Sequence, residues 1–110
     1  MLSYDEFLQV EIRVGKIIEV KGFKEAKKPA YQLKIDFGEK MGVKKSSAQL
    51  TTTYSREELL GRQVVAVTNF PPKQIGPFIS EVLVLGVALE NGRVPLLTVE
   101  EEVPLGLRVL

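Results

Sequence analysis

The sequence predicts an all-β domain in which five strands close into a small barrel. A short helix lies between the third and fourth strands, another helix lies at the N terminus, and an extension follows at the C terminus. Three observations lead to this prediction: strict apolar–polar alternation in YQLKIDF, turn residues between five apolar segments, and a length of 110 residues. Because a chain of this size buries enough surface for one core, we expect a single domain over residues 1–110.

Two capping boxes predict the helices, since in this motif a serine and a glutamate three residues later satisfy backbone N–H groups reciprocally. Ser3 and Glu6 begin the N-terminal helix, which carries Phe7 on its apolar side. Ser55 and Glu58 begin the second helix, in SREELLG. That helix ends at a glycine, a residue typical of helix C termini.

The first strand is predicted in IRVGKIIEV. Its apolar residues Ile12, Val14, Ile18 and Val20 have the same parity and are expected to share the buried face. Gly15 is expected to mark a bulge or a sharp bend in this strand.

The second and third strands follow a basic loop, GFKEAKKPA. Tyr31, Leu33, Ile35 and Phe37 alternate with polar residues, which predicts a strand with one buried face. After the turn GEKMG, the segment VKKSSAQL predicts a third strand whose exposed groups are lysines and serines.

The fourth and fifth strands are predicted in QVVAVTN and EVLVLGVAL, and Asn91-Gly92 supplies a hairpin turn into RVPLLTV. Three strands, a short helix and two closing strands is the order found in the five-stranded OB fold. A small SH3-like barrel is the main alternative, but it has no natural place for the helix at 55–60. We therefore predict an OB-fold barrel.

The composition excludes most catalytic and metal-binding chemistry. Cysteine and histidine are absent, so thiolate and imidazole groups, the usual zinc sites and serine–histidine triads are unavailable. The acidic residues are mostly scattered singly, and the cluster Glu100–Glu102 is interpreted as a solvated turn. We expect no enzyme, no catalytic residue, no metal and no cofactor; a carboxylate-only or magnesium-dependent enzyme is the minor alternative.

The sequence also lacks the features of a membrane or secreted protein. No apolar run approaches the ~20 residues of a membrane span. The start MLSYDEF is too acidic, and its apolar stretch too short, for a signal peptide. We expect a cytoplasmic protein without membrane insertion.

Positive charge is concentrated between residues 20 and 45, where eight lysines and three carboxylates give +5, whereas the rest of the chain carries −4. Either this is a solvated lysine-rich surface or it is a face for an anionic partner. OB folds bind ligands on the face of strands 2 and 3 and on the loops that flank it. The residues expected there are Lys24, Lys27, Lys28, Gln32, Lys34, Lys45, Ser47 and Gln49.

The second flanking loop, NFPPKQIGPFIS, contains three prolines and two phenylalanines. Prolines restrict their own φ angles and those of preceding residues, so the loop is ordered in advance and loses less entropy on binding. Phe70, Ile75 and Phe78 are then expected to present apolar surface, with Lys73 beside them. The alternative is that both phenylalanines cap the barrel end. We expect one inside and one exposed.

The C-terminal segment VPLLTVEEEVPLGLRVL exceeds what a five-stranded barrel needs. Its apolar residues either cover the flank of the barrel or meet the same surface of a second chain in a two-fold dimer.

Several motifs together resemble the tRNA-binding domain superfamily: VEIRVGKIIEV, YQLKIDFG, KKSSAQL, QVVAVTNFPPKQIGPFISEVLVLG and VPLGLRV. More closely, KSSAQL, NFPP and SEVLVLG resemble the CsaA proteins, which are export-related chaperones of bacteria and archaea. The resemblance implies an OB-fold homodimer that binds unfolded or precursor polypeptides and the translocation motor ATPase. The alternative that it implies is a structure-specific tRNA-binding or RNA-binding module.

The resemblance also implies site residues. The peptide-binding positions would be Asn69, Phe70, Lys73, Ile75, Phe78 and Ser80. In the RNA-binding alternative the contacts would be Lys34, Lys44, Lys45, Ser46, Ser47, Gln49 and Lys73. The dimer contacts would be Phe7, Val103, Pro104 and Leu105.

Two departures from the tRNA-binding pattern favour the peptide-binding hypothesis. The tRNA binders tend to carry Ser-Gln-Gly-Met where this chain has Ser-Glu-Val-Leu at 80–83, which adds a negative charge. The first loop has KEAKKPA where those domains have a turn of the His-Pro-Asp-Ala type. We therefore rank polypeptide binding first and RNA binding second.

Overall fold

The computed structural model describes residues 1–24 and 26–110; Glu25, in the basic loop, lies outside the described residues. Its helices and strands, in chain order, are α1 Tyr4–Leu8, β1 Ile12–Gly22, β2 Tyr31–Asp36, β3 Val43–Ala48, α2 Arg56–Leu59, β4 Gln63–Val67, β5 Lys73–Ile75, β6 Phe78–Ser80 and β7 Leu83–Val84. Across the described ranges, no helix has the length and hydrophobicity that a membrane span requires.

Five antiparallel strands form the main sheet in the order β3-β2-β1-β4-β7, and β5 and β6 form a separate hairpin. The sheet curls into a nearly closed barrel. The side chain of Leu59, from α2, is fully buried in its core together with Leu33, Ile35 and Phe37. The predicted all-β OB-type barrel, with a helix between its third and fourth strands, is confirmed.

The predicted alternation in the second strand is also confirmed, but the predicted face of the first strand is partly wrong. The register of β1 against β2 shifts between Ile17↔Ile35 and Glu19↔Lys34, so Ile18 is an extra residue. A bulge of this kind reverses which side chains face inward. As a result Ile17 is completely buried and Ile18 is 44% exposed.

The bulge was predicted at Gly15, but it lies three residues later, and Gly15 is required for a different reason. A Cβ atom on Gly15 would lie 2.6 Å from Cγ2 of Ile35 and 2.7 Å from Cε1 of Phe37. Strand β1 therefore needs a glycine here so that two core side chains of the neighbouring segment can cross it closely.

The barrel closes between β3 and the segment that follows β6, through backbone and side-chain hydrogen bonds. The carbonyl oxygen of Lys45 accepts N–H bonds from Glu81 (2.7 Å) and Val82 (3.3 Å). In return, the Lys45 N–H donates to Oε1 of Glu81, and the Ser47 N–H donates to Oγ of Ser80. At this closure, the side chains of Glu81 and Ser80 accept the N–H bonds that backbone carbonyls would accept in a regular strand pair.

The fifth strand was predicted over residues 81–89, and its regular pairing is much shorter. The ladder with β4 consists of Leu83–Val84, and one further bond runs from the Leu85 N–H to the Val65 carbonyl at 2.9 Å. Beyond this point the chain pairs instead with residues 93–96. The Val87 N–H donates to the carbonyl of Pro95 at 2.9 Å. The Leu89 N–H donates to the carbonyl of Arg93, also at 2.9 Å, so the predicted hairpin around Asn91-Gly92 is confirmed.

The end of the C-terminal extension pairs with β1. Strand β2 ends opposite Lys16, which leaves the edge of β1 from Ile12 to Val14 open on that side. The Gly106 N–H donates to the Val14 carbonyl at 2.8 Å, and the Val109 N–H to the Ile12 carbonyl at 2.7 Å. The extension therefore covers the barrel flank at an otherwise unpaired strand edge.

Candidate ligand-binding site

The proline-rich loop contains a small hairpin that the sequence analysis treated as irregular. Strands β5 and β6 pair through Lys73↔Ser80 and Ile75↔Phe78, with Gly76 and Pro77 at the turn. A two-residue turn with a glycine at its first position, flanked by apolar alternation, is a recognised hairpin signal. KQIGPFIS contains this signal, so the hairpin could have been predicted from the sequence.

One phenylalanine of this loop is inside and one is exposed, as predicted. Phe78 is buried, with its ring centroid 5.3 Å from that of Phe23, and Ala30 and half-buried Ile75 pack beside it. The prediction that Phe78 presents accessible apolar surface is therefore corrected: burying the ring holds the hairpin onto the first loop. Phe70 is 53% exposed.

An apolar pocket of about 350 Å³ lies at the base of the hairpin. Its exposed apolar members are Phe70, Pro71 and Leu83, and its charged side chains among the described residues are Lys73 and Glu81. The complete lining is Phe70, Pro71, Lys73, Ser80, Glu81, Val82 and Leu83. This apolar pocket is where the sequence analysis expected accessible hydrophobic surface.

Two of the predicted peptide-binding residues hold the structure around this pocket. The side-chain amide of Asn69 accepts from the Glu11 N–H at 3.0 Å and donates to the Gln9 carbonyl at 2.7 Å. The hydroxyl of Ser80 accepts from the Ser47 N–H at 3.0 Å. Both side chains therefore position the loop that carries the exposed phenylalanine, whereas Ile75 lines a second cavity.

The second cavity is a basic cleft of about 550 Å³ that also borders the hairpin. It is lined by residues 26–28 and Ala30 of the first loop, Ser47 and Gln49 of the third-strand segment, and residues 73–76. This is the predicted OB-fold ligand position. Lys27, Lys28 and Lys73 are its charged groups, and all three are exposed.

Two other lysines of the predicted basic face contact neighbouring side chains. Lys34 and Lys45 lie opposite each other in the β2–β3 register, so they share one face. The ammonium of Lys34 lies 3.4 Å from Oε2 of Glu19. The ammonium of Lys45 lies 5.4 Å from the centroid of the Phe78 ring, within the range of a cation–π interaction.

Two residues of the predicted RNA-binding set lie on the opposite side of the third strand. Ser46 pairs with Leu33 and is completely buried, and Lys44 pairs with Ile35. Since paired residues of antiparallel strands point to the same face, both are directed to the core side. Their expected place on the ligand-binding face is corrected. The burial of Ser46 could not be predicted from the sequence, because a serine does not contribute to an apolar pattern.

The predicted dimer residues lie where the two chain ends meet. Phe7, Val103 and Leu105 are half-buried and Pro104 is exposed. Arg108 joins the ends, because its guanidinium donates to backbone carbonyls that immediately precede β1. Three apolar side chains around this junction are exposed: Leu8, Val10 and Leu107. We call these three the terminal apolar patch.

Comparison with known proteins first defines the class. The family model described as "Putative tRNA binding domain" matches residues 12–108, and the chain belongs to this family. Within it, the chain is similar to two solved CsaA chaperones. The CsaA of Bacillus anthracis str. Ames is 47% identical with a TM-score of 0.94, covering 100% of this chain and 99% of that one. The CsaA of Picrophilus torridus is 53% identical with a TM-score of 0.92 and covers 100% of both chains.

The chain is also similar to part of a larger enzyme. The methionine–tRNA ligase of Thermococcus kodakarensis is 40% identical over 108 residues, which are 98% of this chain and 14% of the ligase. The chain thus spans a small fraction of the length of the curated relatives it matches. A solved MetRS-related protein from Pyrococcus horikoshii is 30% identical, with a TM-score of 0.87, and covers 100% of this chain. The resemblance noted in the sequence is confirmed.

Proposed function

We propose that this protein is a non-enzymatic chaperone that binds unfolded or precursor polypeptides at the apolar pocket. The observation that carries the proposal is an exposed aromatic side chain, Phe70, on the rim of a mainly apolar cavity of about 350 Å³. Extended peptides bind such surfaces by placing apolar side chains into pockets. An exposed phenylalanine that adjoins an apolar pocket forms a contiguous apolar surface, the kind that typically marks a binding site.

The mechanism is non-covalent binding on a rigid support. The prolines before β5, the hairpin and the buried Phe78 keep the rim in place, so little conformational entropy is lost when a chain docks. Binding is reversible because one pocket of this size buries only one or two apolar side chains, each contributing about 2 kcal/mol. No bond is made or broken in this process.

The similarity to two CsaA chaperones supports the assignment, because both alignments include the whole of this chain. By this analogy we propose a homodimer, a link to protein export, a translocation motor ATPase as partner, and a cytoplasmic location. The proposed dimer contact is the terminal apolar patch together with Phe7, Val103, Pro104 and Leu105.

A second candidate function is binding of tRNA, and the basic cleft favours it. Lys27, Lys28 and Lys73 surround a cavity in the position where OB folds bind oligonucleotides. The family match and the similarity to a part of methionine–tRNA ligases also support it. It ranks second because the three lysines of the described lining are few for phosphate contacts, and no exposed aromatic ring is among the described residues of the cleft for base stacking.

The experiment that tests the proposal compares two variants in parallel titrations. Phe70→Ala removes the exposed ring of the pocket, and we expect it to weaken binding of a labelled, unfolded, apolar-rich polypeptide by about tenfold. Ile79→Ala is the matched control, because Ile79 is 42% exposed and lines neither cavity. Fluorescence anisotropy measures both affinities, and thermal unfolding verifies that both variants fold.

The same titrations with tRNA separate the two candidate functions. Polypeptide binding through the apolar pocket should survive moderate salt, whereas tRNA binding should weaken steeply because counterion release drives it. Equal losses for the two variants would contradict the role of the pocket. Tight tRNA binding together with no polypeptide affinity would reverse the order of the two functions.

A further inference from the structure

Two cavities of opposite character border the β5–β6 hairpin and share one side chain. Phe70 lies on the rim of the apolar pocket, Lys27 and Lys28 line the basic cleft, and Lys73 lines both. Lys73 is opposite Ser80 in the hairpin register, and Ser80 also lines the apolar pocket. The route from one cavity to the other therefore crosses this residue pair.

The described part of the basic cleft is lined by positive charge. Among the described residues, its lining includes three lysines and no carboxylate. Within residues 1–24 and 26–110, the ion pairs involve Arg13, Lys21 and Lys34, and none involves a lysine of the cleft. A cavity with this charge pattern attracts an anionic ligand group.

Because both cavities are lined by Lys73, a short piece of extended chain is long enough to reach from one to the other. Neighbouring strands lie about 4.8 Å apart, so crossing one or both strands of the hairpin takes about 5–10 Å. An extended polypeptide advances about 3.3 Å per residue, which corresponds to two or three residues. One continuous segment can therefore occupy both cavities.

We infer that the protein selects polypeptide segments in which an apolar side chain lies two or three residues from acidic residues. The apolar side chain enters the pocket beside Phe70, and the carboxylates contact Lys27, Lys28 and Lys73. This inference rests on the proposed polypeptide-binding function and adds the class of segment that is bound. An acidic peptide fits better than a nucleic acid, because the mainly apolar lining beside Phe70 suits an apolar side chain and not a phosphate backbone.

The test uses four fluorescent peptides of equal length, built from glycine and serine around one phenylalanine. The first has two aspartates three residues after the phenylalanine; the second has asparagines there instead. The third has its aspartates about eight residues away, beyond the reach of the cleft. The fourth has alanine in place of the phenylalanine.

We expect the first peptide to bind about fivefold more tightly than the second and third at about 50 mM salt. At about 500 mM salt the three affinities should become nearly equal, because exposed charges are screened. The fourth peptide should bind most weakly, because it lacks the group that enters the apolar pocket.

Two double variants locate the acidic contact. Lys27→Gln/Lys28→Gln should remove the preference for the first peptide while leaving the affinity for the second unchanged. Lys21→Gln/Lys40→Gln makes the same change in net charge at exposed residues outside both cavities, and it should keep the preference.

The outcomes distinguish this inference from the proposed function. Equal affinities for the first two peptides would overturn the acidic preference while leaving polypeptide binding intact. Absence of binding by all four peptides would overturn both. A preference that survives in Lys27→Gln/Lys28→Gln would show that the carboxylates bind elsewhere, which overturns the assignment of the cleft. RNA binding that this variant abolishes, without any acidic preference among the peptides, would assign the cleft to nucleic acid.

Discussion

Gly106 is a residue at which the backbone conformation and a close contact act together. Its φ angle is +89°, a left-handed conformation that L side chains rarely adopt, and an added Cβ atom would collide with the carbonyl oxygen of Phe37. Its N–H also donates to Val14 on the open edge of β1. Gly106 therefore allows the C-terminal extension to lie flat against the barrel.

Gly106→Ala should lower the free energy of unfolding by more than the strain of a left-handed alanine alone. Gly61→Ala is the matched control, since Gly61 has φ +85° and no atom within 4 Å of an added Cβ. We expect about 1 kcal/mol for Gly61→Ala and about 3 kcal/mol for Gly106→Ala, in which the extension must also shift. Urea unfolding measures both values, and equal values would mean that the contact with the Phe37 carbonyl is not limiting.

At the scale of single elements, the four-residue helix α2 persists because its start is capped and its end is buried. The Ser55 N–H donates to Oε1 of Glu58 at 2.8 Å, and the Glu58 N–H donates to Oγ of Ser55 at 3.2 Å. Leu59 anchors the other end in the core. Such a short helix would not form in isolation, because helix nucleation is unfavourable.

The capping box of α2 should make stability depend on pH. The hydrogen bond from the Ser55 backbone, followed by that with its side chain, lowers the pKa of Glu58 below its usual 4.5. A lowered folded-state pKa stabilises the protein above pH 4.5, and this contribution is lost as the pH falls through the lowered value. Glu58→Gln should therefore lower Tm by about 2 °C at neutral pH, and by progressively less as the pH falls through the lowered pKa.

Glu57→Gln is the control for this prediction, because Glu57 occupies the same first turn and its carboxylate accepts no hydrogen bond from the described residues. Thermal unfolding of both variants at neutral and acidic pH provides the comparison. A Tm difference between Glu58→Gln and the unmodified protein that is the same at both pH values would contradict the role of the ionised carboxylate.

At the scale of the whole molecule, the two ends of the chain form one surface. The guanidinium of Arg108 bonds to the carbonyls of Leu8 and Val10, which fixes the segment after α1 beside the C-terminal extension. The terminal apolar patch lies on these two segments, and its members are 39–53% exposed. A surface that combines both ends in this way fits an isologous contact with a second copy.

Leu107→Glu should shift the proposed dimer toward monomer, because it places a charge in the terminal apolar patch. Leu60→Glu is the control, since Leu60 is 56% exposed on the turn after α2 and outside the patch. We expect the dimer dissociation constant to rise at least about 100-fold for Leu107→Glu and to change less than about threefold for Leu60→Glu. Sedimentation velocity at several concentrations measures this, and an unmodified protein that stays monomeric at high concentration contradicts the dimer.

Much of the fold could be predicted because it depends on local patterns. The alternation of Leu33, Ile35 and Phe37 predicts which face of β2 is buried, and the structure confirms it. The bulge at Ile18 could not be predicted, because it arises where β1 turns from pairing with one strand to pairing with another. Ser46 is buried for a similar reason: its position in the register, and not its polarity, determines the side it faces.

The candidate site shows the same division. Sequence patterns alone determined that this chain forms a small β-barrel, that its flanking loop is stiffened by prolines, and that its lysines are concentrated near the first loop. Only the tertiary structure decided that Phe78 is buried against Phe23 while Phe70 remains exposed, and that Lys73 lies between an apolar pocket and a basic cleft. Periodicity and turn chemistry act between residues near in sequence, whereas the choice between burial and exposure depends on which distant segments pack together.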